Sequence, residues 1–399
     1  MNVNLLDLKA QNGALEPELN EAFLRVVRSG HFILGPEVER FERALAEFTG
    51  AKHALGVSSG TDAILLALMA LGIGPGDEVL CPSFTFFATA GCVARAGAKP
   101  VFVDSCPVCF NLDVRDAARR ITPRTKAILP VHLFGQAAEM DAVLEMARRH
   151  GLRVIEDAAQ AMGATYRGKQ VGTLGDFGTI SFFPTKNLGA LGDAGALLIH
   201  DTTLAERAKI LRVHGMEPKY YHQVVGANFR LDALQAALLS VKLPHFNDYT
   251  AGRRRNAALY TEKLAKLPGV EVGRAGDGCC AGVDAKSSGE PLDAKARVIL
   301  PAACPHNGHI WNQYTLRVIG AGRRDALRAH LTARGVGSEI YYPLPLHEQG
   351  CFASLGHKPD DFPRAHRLAG EVISLPIYPE IPAEQIERVC AVIAEFLAA

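Results

Sequence analysis

Between Val154 and Leu198 the chain carries two short apolar strands that both end in charged groups. The first, Arg153 to Ile155, runs into two carboxylates, Glu156 and Asp157. The second, expected over Thr179–Phe183, runs into Pro184-Thr185-Lys186 and a stretch holding Gly189, Gly192 and Gly195. In an open parallel sheet, functional groups gather outside the carboxyl ends of the strands. Asp157 and Lys186 would then face one crevice. Pyridoxal phosphate (PLP) needs such a pair: a Lys amine to form a Schiff base with its aldehyde, and a carboxylate to keep the pyridine nitrogen protonated. The glycines would let the chain turn tightly and leave room for a planar ring. Taken alone, the pair also fits a structural salt bridge or two unrelated solvated charges.

The rest of the chain extends the strand–helix alternation. Residues 15–30 read as a helix with an apolar face of Leu15, Leu19, Phe23, Val26 and Val27, closed by Gly30. A second helix opens at Pro36 with Val38, Phe41, Leu45 and Phe48 on its face. Strands follow at 53–57, 78–81, 100–103 and 127–131, separated by helical stretches. Repeated βα units of this size predict a mostly parallel sheet covered by helices on both faces. Ser58-Ser59-Gly60-Thr61-Asp62 precedes a helix apolar nearly all round. Its free N–H groups would seat a phosphate, though a plain Ser N-cap fits equally. Phe86 could stack on a flat ligand, while core packing must account for at least one of Phe84, Phe86 and Phe87. His132 fits either a substrate contact or a hydrogen-bonded core histidine.

At 399 residues the chain is too long for one core. The expected division is a large domain over 1–247, with N-terminal residues that could pack on the other unit, and a small C-terminal α/β domain over 248–399. An irregular insertion is expected at about 273–308, where Gly, Ala, Asp and Cys recur without period. The 43 basic and 42 acidic residues nearly cancel, which gives no electrostatic case for nucleic acid or a membrane surface. No signal peptide and no apolar run of about 20 residues is evident. Nine scattered cysteines read as reduced thiols in a cytoplasmic protein. Cys106-Pro107-Val108-Cys109 is a lone C-x-x-C, and neither it nor Cys304, His306 and His309 is read as a metal site.

Several stretches, in order, carry a resemblance: Gly30–Pro36, Ser59–Ala63, Pro82–Phe86, Glu156–Ala161, Ser181–Gly189, Gly226–Asp232 and Tyr341–His347. Together they resemble the DegT/StrS family of fold-type-I, PLP-dependent aminotransferases that act on nucleotide-linked keto-sugars. The resemblance implies that Lys186 holds the cofactor and Asp157 pairs with the pyridine nitrogen. Gln160 would bond the ring hydroxyl and Phe86 would stack on the ring. Gly60, Thr61 and Ser181 would hold the phosphate. Asn228 would reach the phosphate of the neighbouring subunit's cofactor, which implies a homodimer with shared sites. Arg230, Tyr341 and His347 would lie near the sugar nucleotide, and L-glutamate would be the amino donor.

Two departures from the family pattern stand out. The 273–308 segment is longer than expected, and Ser105–Cys109 replaces a stretch usually more acidic and free of cysteine. Residues 219–222 resemble the loop of relatives that aminate at C3 of the sugar, with a 4-keto-6-deoxy substrate as the alternative. A sugar dehydratase on the same fold would carry His in place of Lys186. A non-catalytic or regulatory relative would have lost Lys186, Asp157 or Thr61.

Overall fold

The computed structural model describes residues 2–274 and 295–399. Helices α1 (Leu8–Ala14), α2 (Glu16–Ser29) and α3 (Pro36–Thr49) precede β1 (His53–Val57). Then come α4 (Gly60–Ala70), β2 (Glu78–Pro82), α5 (Ala88–Arg95), β3 (Lys99–Val103), α6 (Val114–Arg119), β4 (Thr125–Ile128), α7 (Met140–His150) and β5 (Arg153–Asp157). A small hairpin, β6 (Thr165–Tyr166) and β7 (Lys169–Gln170), leads to β8 (Phe177–Ser181) and β9 (Gly195–Ile199). Three helices follow: α8 (Thr202–Arg212), α9 (Ala233–Lys242) and α10 (Phe246–Leu264). The remainder is β10 (Val270–Val272), β11 (Val298–Leu300), β12 (Asn307–Gly308), β13 (Tyr314–Val318), α11 (Arg323–Ala333), α12 (Pro363–Glu371), β14 (Val372–Leu375) and α13 (Ala383–Ala398).

The main sheet has the order β1-β9-β8-β5-β4-β2-β3. Only β9 runs against its neighbours, so the sheet is mostly parallel, as expected. Its strands are buried on both faces, which explains why they read as unbroken apolar runs. Helix α4 buries eight of its side chains or glycines, from Gly60 to Ala70, and stands with its N-terminus at the carboxyl end of β1. A second sheet, β10-β11-β13-β14, packs with α10, α11 and α13 around Tyr260, Tyr314 and Leu316. Val3 joins that cluster and pairs with Val336, so the N-terminal residues pack on the smaller sheet. Among the described residues no helix is long and apolar enough to cross a membrane.

Three sequence expectations change. The buried stripe of α2 is Leu19, Ala22 and Val26, whereas Phe23 and Val27 are 45% and 44% exposed. Those two lie on the neighbouring row of the helix, about 100° away from that stripe. The strand expected at Thr179–Phe183 spans Phe177–Ser181, because its ladder with β9 ends at the Ser181–Gly195 pair and Phe183 peels into solvent. The stretch read as irregular holds β11, which pairs with β10 and β13, and β12, which pairs with β6. Residues 275–294 of that stretch lie outside the described residues.

Glu156 organises the approach to β8. Fully buried, its carboxylate accepts from the N–H groups of Gly172 (2.8 Å), Leu174 (2.6 Å) and Gly175 (2.7 Å). His132 Nε2 donates to it at 2.9 Å, while His132 Nδ1 accepts from the Ala138 N–H at 3.0 Å. His132 is therefore the hydrogen-bonded core histidine, not a substrate contact. Glu156→Ala strands several buried donors and should destabilise the fold by about 3 kcal/mol or more. Urea unfolding would show it as a lowered midpoint, with Glu156→Gln falling between.

Candidate active site

Strands β5 and β8 are parallel neighbours, with Asp157 opposite Thr179, so their carboxyl ends open on the same side. Asp157 is 5% exposed. Its Oδ2 accepts from Thr89 Oγ1 at 2.9 Å and its Oδ1 from the Ala159 N–H at 3.2 Å. Lys186 sits in the turn beyond β8, where its N–H donates to the Phe183 carbonyl at 2.8 Å. Burial pulls the Lys186 amine down to about 8, opposed by the charge of Asp157. Burial likewise pushes the Asp157 carboxyl up, opposed by the Thr89 hydroxyl, the Ala159 N–H and the charge of Lys186. The two groups feel each other across the crevice.

Two of the three glycines, Gly189 and Gly195, let backbone approach backbone, and Gly189 gives the tight turn expected. A Cβ on Gly189 would sit 2.2 Å from the Pro184 carbonyl oxygen, and one on Gly195 would sit 2.4 Å from the Ser59 carbonyl carbon. The second approach presses β9 against the Ser59-Gly60-Thr61 turn. Ser59 Oγ caps α4 by accepting from the Asp62 N–H at 3.0 Å. A Cβ on Gly60 would meet Ser181 Cβ at 2.7 Å, so Gly60 and Ser181 adjoin. The N–H groups that open α4 and the Ser181 hydroxyl thus lie at one place, suited to a phosphate dianion.

Gln160 is held at both ends: Oε1 accepts from the Phe134 N–H at 2.8 Å, and Nε2 donates to Tyr342 Oη at 3.0 Å. Phe86 is half exposed, with its ring 6.1 Å from that of Tyr342. Tyr342 and Thr89 were not singled out from sequence. Tyr342 offered a signal, being next to Tyr341, but Thr89 lies in a run of small residues with none. Tyr341 borders a cleft of about 80 Å³ with Thr185, Arg253, Asn312 and Gln313. Arg230 pairs through its backbone with Val57, just ahead of the Ser59 turn, and its buried Nε has no hydrogen-bond partner. Asn228 is exposed.

His347 does not join this group. It is 2% exposed, shares a 2.6 Å hydrogen bond between Nδ1 and Ser83 Oγ, and packs on Phe362 with ring centres 4.5 Å apart. Burial pulls its imidazole down to about 4. It is a core side chain beneath the 82–86 loop. The structure also packs Cys304 onto Cys106 and Cys109 in a small buried cluster, which their spacing gave no reason to expect. Among the described residues, no three His, Cys, Asp or Glu side chains are placed to hold a metal ion.

A buried aspartate at the end of β5 and a half-buried lysine in the turn beyond β8, beside a helix N-terminus with room only for glycine at Gly60, fit pyridoxal phosphate. Fold and site together define an enzyme of the fold-type-I PLP class. The profile of the DegT/DnrJ/EryC1/StrS aminotransferase family matches residues 14–277 and 291–394. A pleiotropic regulatory protein of Geobacillus stearothermophilus is 49% identical over 396 residues, 99% of each chain. The dTDP-3-amino-3,4,6-trideoxy-alpha-D-glucose transaminase of Streptomyces venezuelae is 42% identical over 394 residues, 99% of this chain and 96% of that one. The crystal structure of S. venezuelae DesV in complex with a ketimine intermediate superposes with a TM-score of 0.90 at 41% identity, covering 100% of this chain and 99% of that one. The chain belongs to the DegT/DnrJ/EryC1/StrS aminotransferase family, and its cofactor is pyridoxal phosphate.

The lowered Lys186 amine has a kinetic consequence. Only the neutral amine attacks an aldehyde, so capture of pyridoxal phosphate by apoenzyme should speed up about tenfold per pH unit and level off above about 8. An unperturbed lysine would continue to gain up to about 10.4. Stopped-flow absorbance from about pH 6 to about pH 11 would distinguish the two.

Proposed function

We propose that the protein is a sugar-nucleotide aminotransferase that moves an amino group from L-glutamate to a nucleotide-linked 3-keto sugar, as a cytoplasmic homodimer with shared sites. The observation that carries the reading is the Lys186–Asp157 pair at the ends of β5 and β8, beside the Gly60–Ser181 turn.

In this reading Lys186 holds the cofactor aldehyde, Asp157 faces the pyridine nitrogen, and Gly60, Thr61 and Ser181 take the phosphate. Phe86 covers the ring face, and Gln160 reaches the ring hydroxyl with the amide hydrogen that Tyr342 leaves free. When bound there, the cofactor supplies a carbon to receive the amine and a ring to accept electrons. Once freed, the Lys186 amine would move a proton between the donor α-carbon and the cofactor's C4′, as base and then acid. Its lowered basicity suits both roles, since a base and acid working near neutrality needs a matched pKa. Asp157 keeps the ring nitrogen protonated, and its burial strengthens that contact by excluding water.

Two features support the choice of acceptor. The 219–222 loop and the 3-amino product named for the S. venezuelae relative both favour the C3 ketone. Arg230 offers a planar partner for a diphosphate or a uronate carboxylate, and Tyr341 faces the cleft beside Thr185. The regulatory name of the Geobacillus relative does not weigh against catalysis, because Lys186, Asp157 and Thr61 are all present here. Lys186 also argues against a dehydratase.

The dimer reading rests on the loop that carries Asn228. The Phe32 carbonyl accepts from the Ala233 N–H at 3.0 Å, and Ile33 pairs with Asp232. Phe32 and Ile33 are 45% and 55% exposed beside that loop, an apolar surface suited to a second copy.

A glutamate-coupled assay over matched 3-keto and 4-keto sugar nucleotides, with NMR of the products, tests the reaction. The 3-keto compounds should be aminated, and Lys186→Ala should lose ~10³-fold or more of the rate. Amination of 4-keto compounds alone would defeat the C3 assignment. No amination of any sugar nucleotide would defeat the reading itself. For the shared site, Asn228→Ala and Lys186→Ala subunits should regain activity when mixed into heterodimers, since one site then holds both native groups. Heterodimers that form and stay inactive would rule out a composite site.

A further inference from the structure

Lys242 lies at the end of α9 and is 1% exposed. No part of the chemistry described above uses it. Its Nζ donates to the Gly189 carbonyl at 2.7 Å and to Asn12 Oδ1 at 3.1 Å. Gly189 closes the tight turn that starts at Pro184 and carries Lys186, and a side chain there would collide with the Pro184 carbonyl. Backbone bonds from Lys186 N–H to the Phe183 carbonyl and from Ala190 N–H to the Phe182 carbonyl, each 2.8 Å, fix the start and base of that turn. The Gly189 carbonyl is fixed by the Lys242 ammonium.

The far side of Lys242 is also organised. Asn12 comes from α1, whose neighbouring Gln11 is buried and hydrogen-bonded to Glu380. Glu380 in turn acts electrostatically on Lys242 and on Arg253. A buried lysine is costly unless its ammonium is satisfied, so its presence here needs a reason beyond filling space. A methionine would fill much the same volume without the charge. What the ammonium adds is a charge-assisted bond to one carbonyl, three residues past Lys186.

We propose that Lys242 is a positioning residue for Lys186: through the Gly189 carbonyl it sets the turn that aims the Lys186 amine, and Asn12 and Glu380 hold it in place. The proposal rests on Lys186 being the residue that holds the cofactor. It ties the N-terminal helix, the Lys186 turn and the segment before α13 into one clasp. Loosening the clasp leaves Lys186 present but free to swing, so the loss falls on the chemical step and on the electronic state of the bound cofactor, not on sugar binding.

The test is Lys242→Met in the full-length holoenzyme, with Asn12→Ala beside it. Lys242→Met should lower kcat ~10-fold, the scale set by one hydrogen bond to a charged group, and leave KM for the sugar nucleotide within about twofold. The pH midpoint of the bound cofactor's visible absorbance should move by about half a unit or more. A purely structural lysine would lower the melting temperature while kcat and that midpoint stay at wild-type values, and this result overturns the proposal. Should Lys242→Met fail to fold, Asn12→Ala decides: a ~3-fold loss of kcat with a smaller midpoint shift in the same direction is expected. Wild-type values there overturn the proposal. Lys186→Ala separates the two levels, because a variant that keeps the cofactor band and turnover removes the assignment of Lys186, and the proposal with it.

Discussion

A lysine amine and a carboxylate share one water-poor crevice, and most of the chain serves to keep them there. Each group is pushed toward its neutral form by burial and pulled back toward charge by the other. With the Lys186 amine near 8, roughly a tenth of it is neutral at pH 7, against under roughly a thousandth for an ordinary lysine. A lysine that accepts and returns a proton, as proposed for Lys186, needs that balance. Two adjacent parallel strands open their carboxyl ends on the same edge, and the tight turn beyond β8 carries Lys186 there.

Around that pair the chain spends its polar groups on backbone. Glu156 holds the 172–175 loop, Ser59 caps α4, Thr89 holds Asp157, and Lys242 holds the Gly189 carbonyl. Each fixes a main-chain segment or a carboxylate and leaves the crevice to the reacting groups. The close approaches at Gly189 and Gly195 serve the same end, because a glycine lets two backbones meet where a side chain would force them apart. Rigidity of this kind keeps a helix N-terminus and a lysine turn in register, as orientation in a reacting site demands.

What the sequence made legible follows from period and spacing. The mostly parallel sheet, the buried α4 and the Lys186–Asp157 pair all rest on strand-end positions that repeat with the βα unit. What it hid depends on packing partners far away in the chain. Phe23 and Val27 have the same chemistry as Leu19 and Val26, and only the placement of α9 decides which row is covered. His347 resembles a substrate contact in its loop until Ser83 and Phe362 close over it. β11 is three residues long and finds its identity only through β10 and β13. Thr89 and Tyr342 reach the site through side-chain hydrogen bonds that no local pattern announces.

The single chain also leaves a physical problem that the proposed dimer would solve. Phe86 is 54% exposed although its assigned work is to cover a flat ring, and Phe183, two residues past β8, is 48% exposed. Tyr220 and Tyr221 project from the loop that leads to Asn228, more exposed still. Phe86 would sit in water at a site whose chemistry depends on excluding it. The backbone pairing of Met216 with His222 gives that loop a defined shape. A shaped, aromatic-tipped loop and the apolar Phe32-Ile33 edge are surfaces that the proposed dimer would cover. A two-fold contact has this character, in which one patch is both the giver and the receiver. On this argument the proposed dimer would finish the desolvation that burial of Asp157 begins, and would bring the exposed aromatics to the active site.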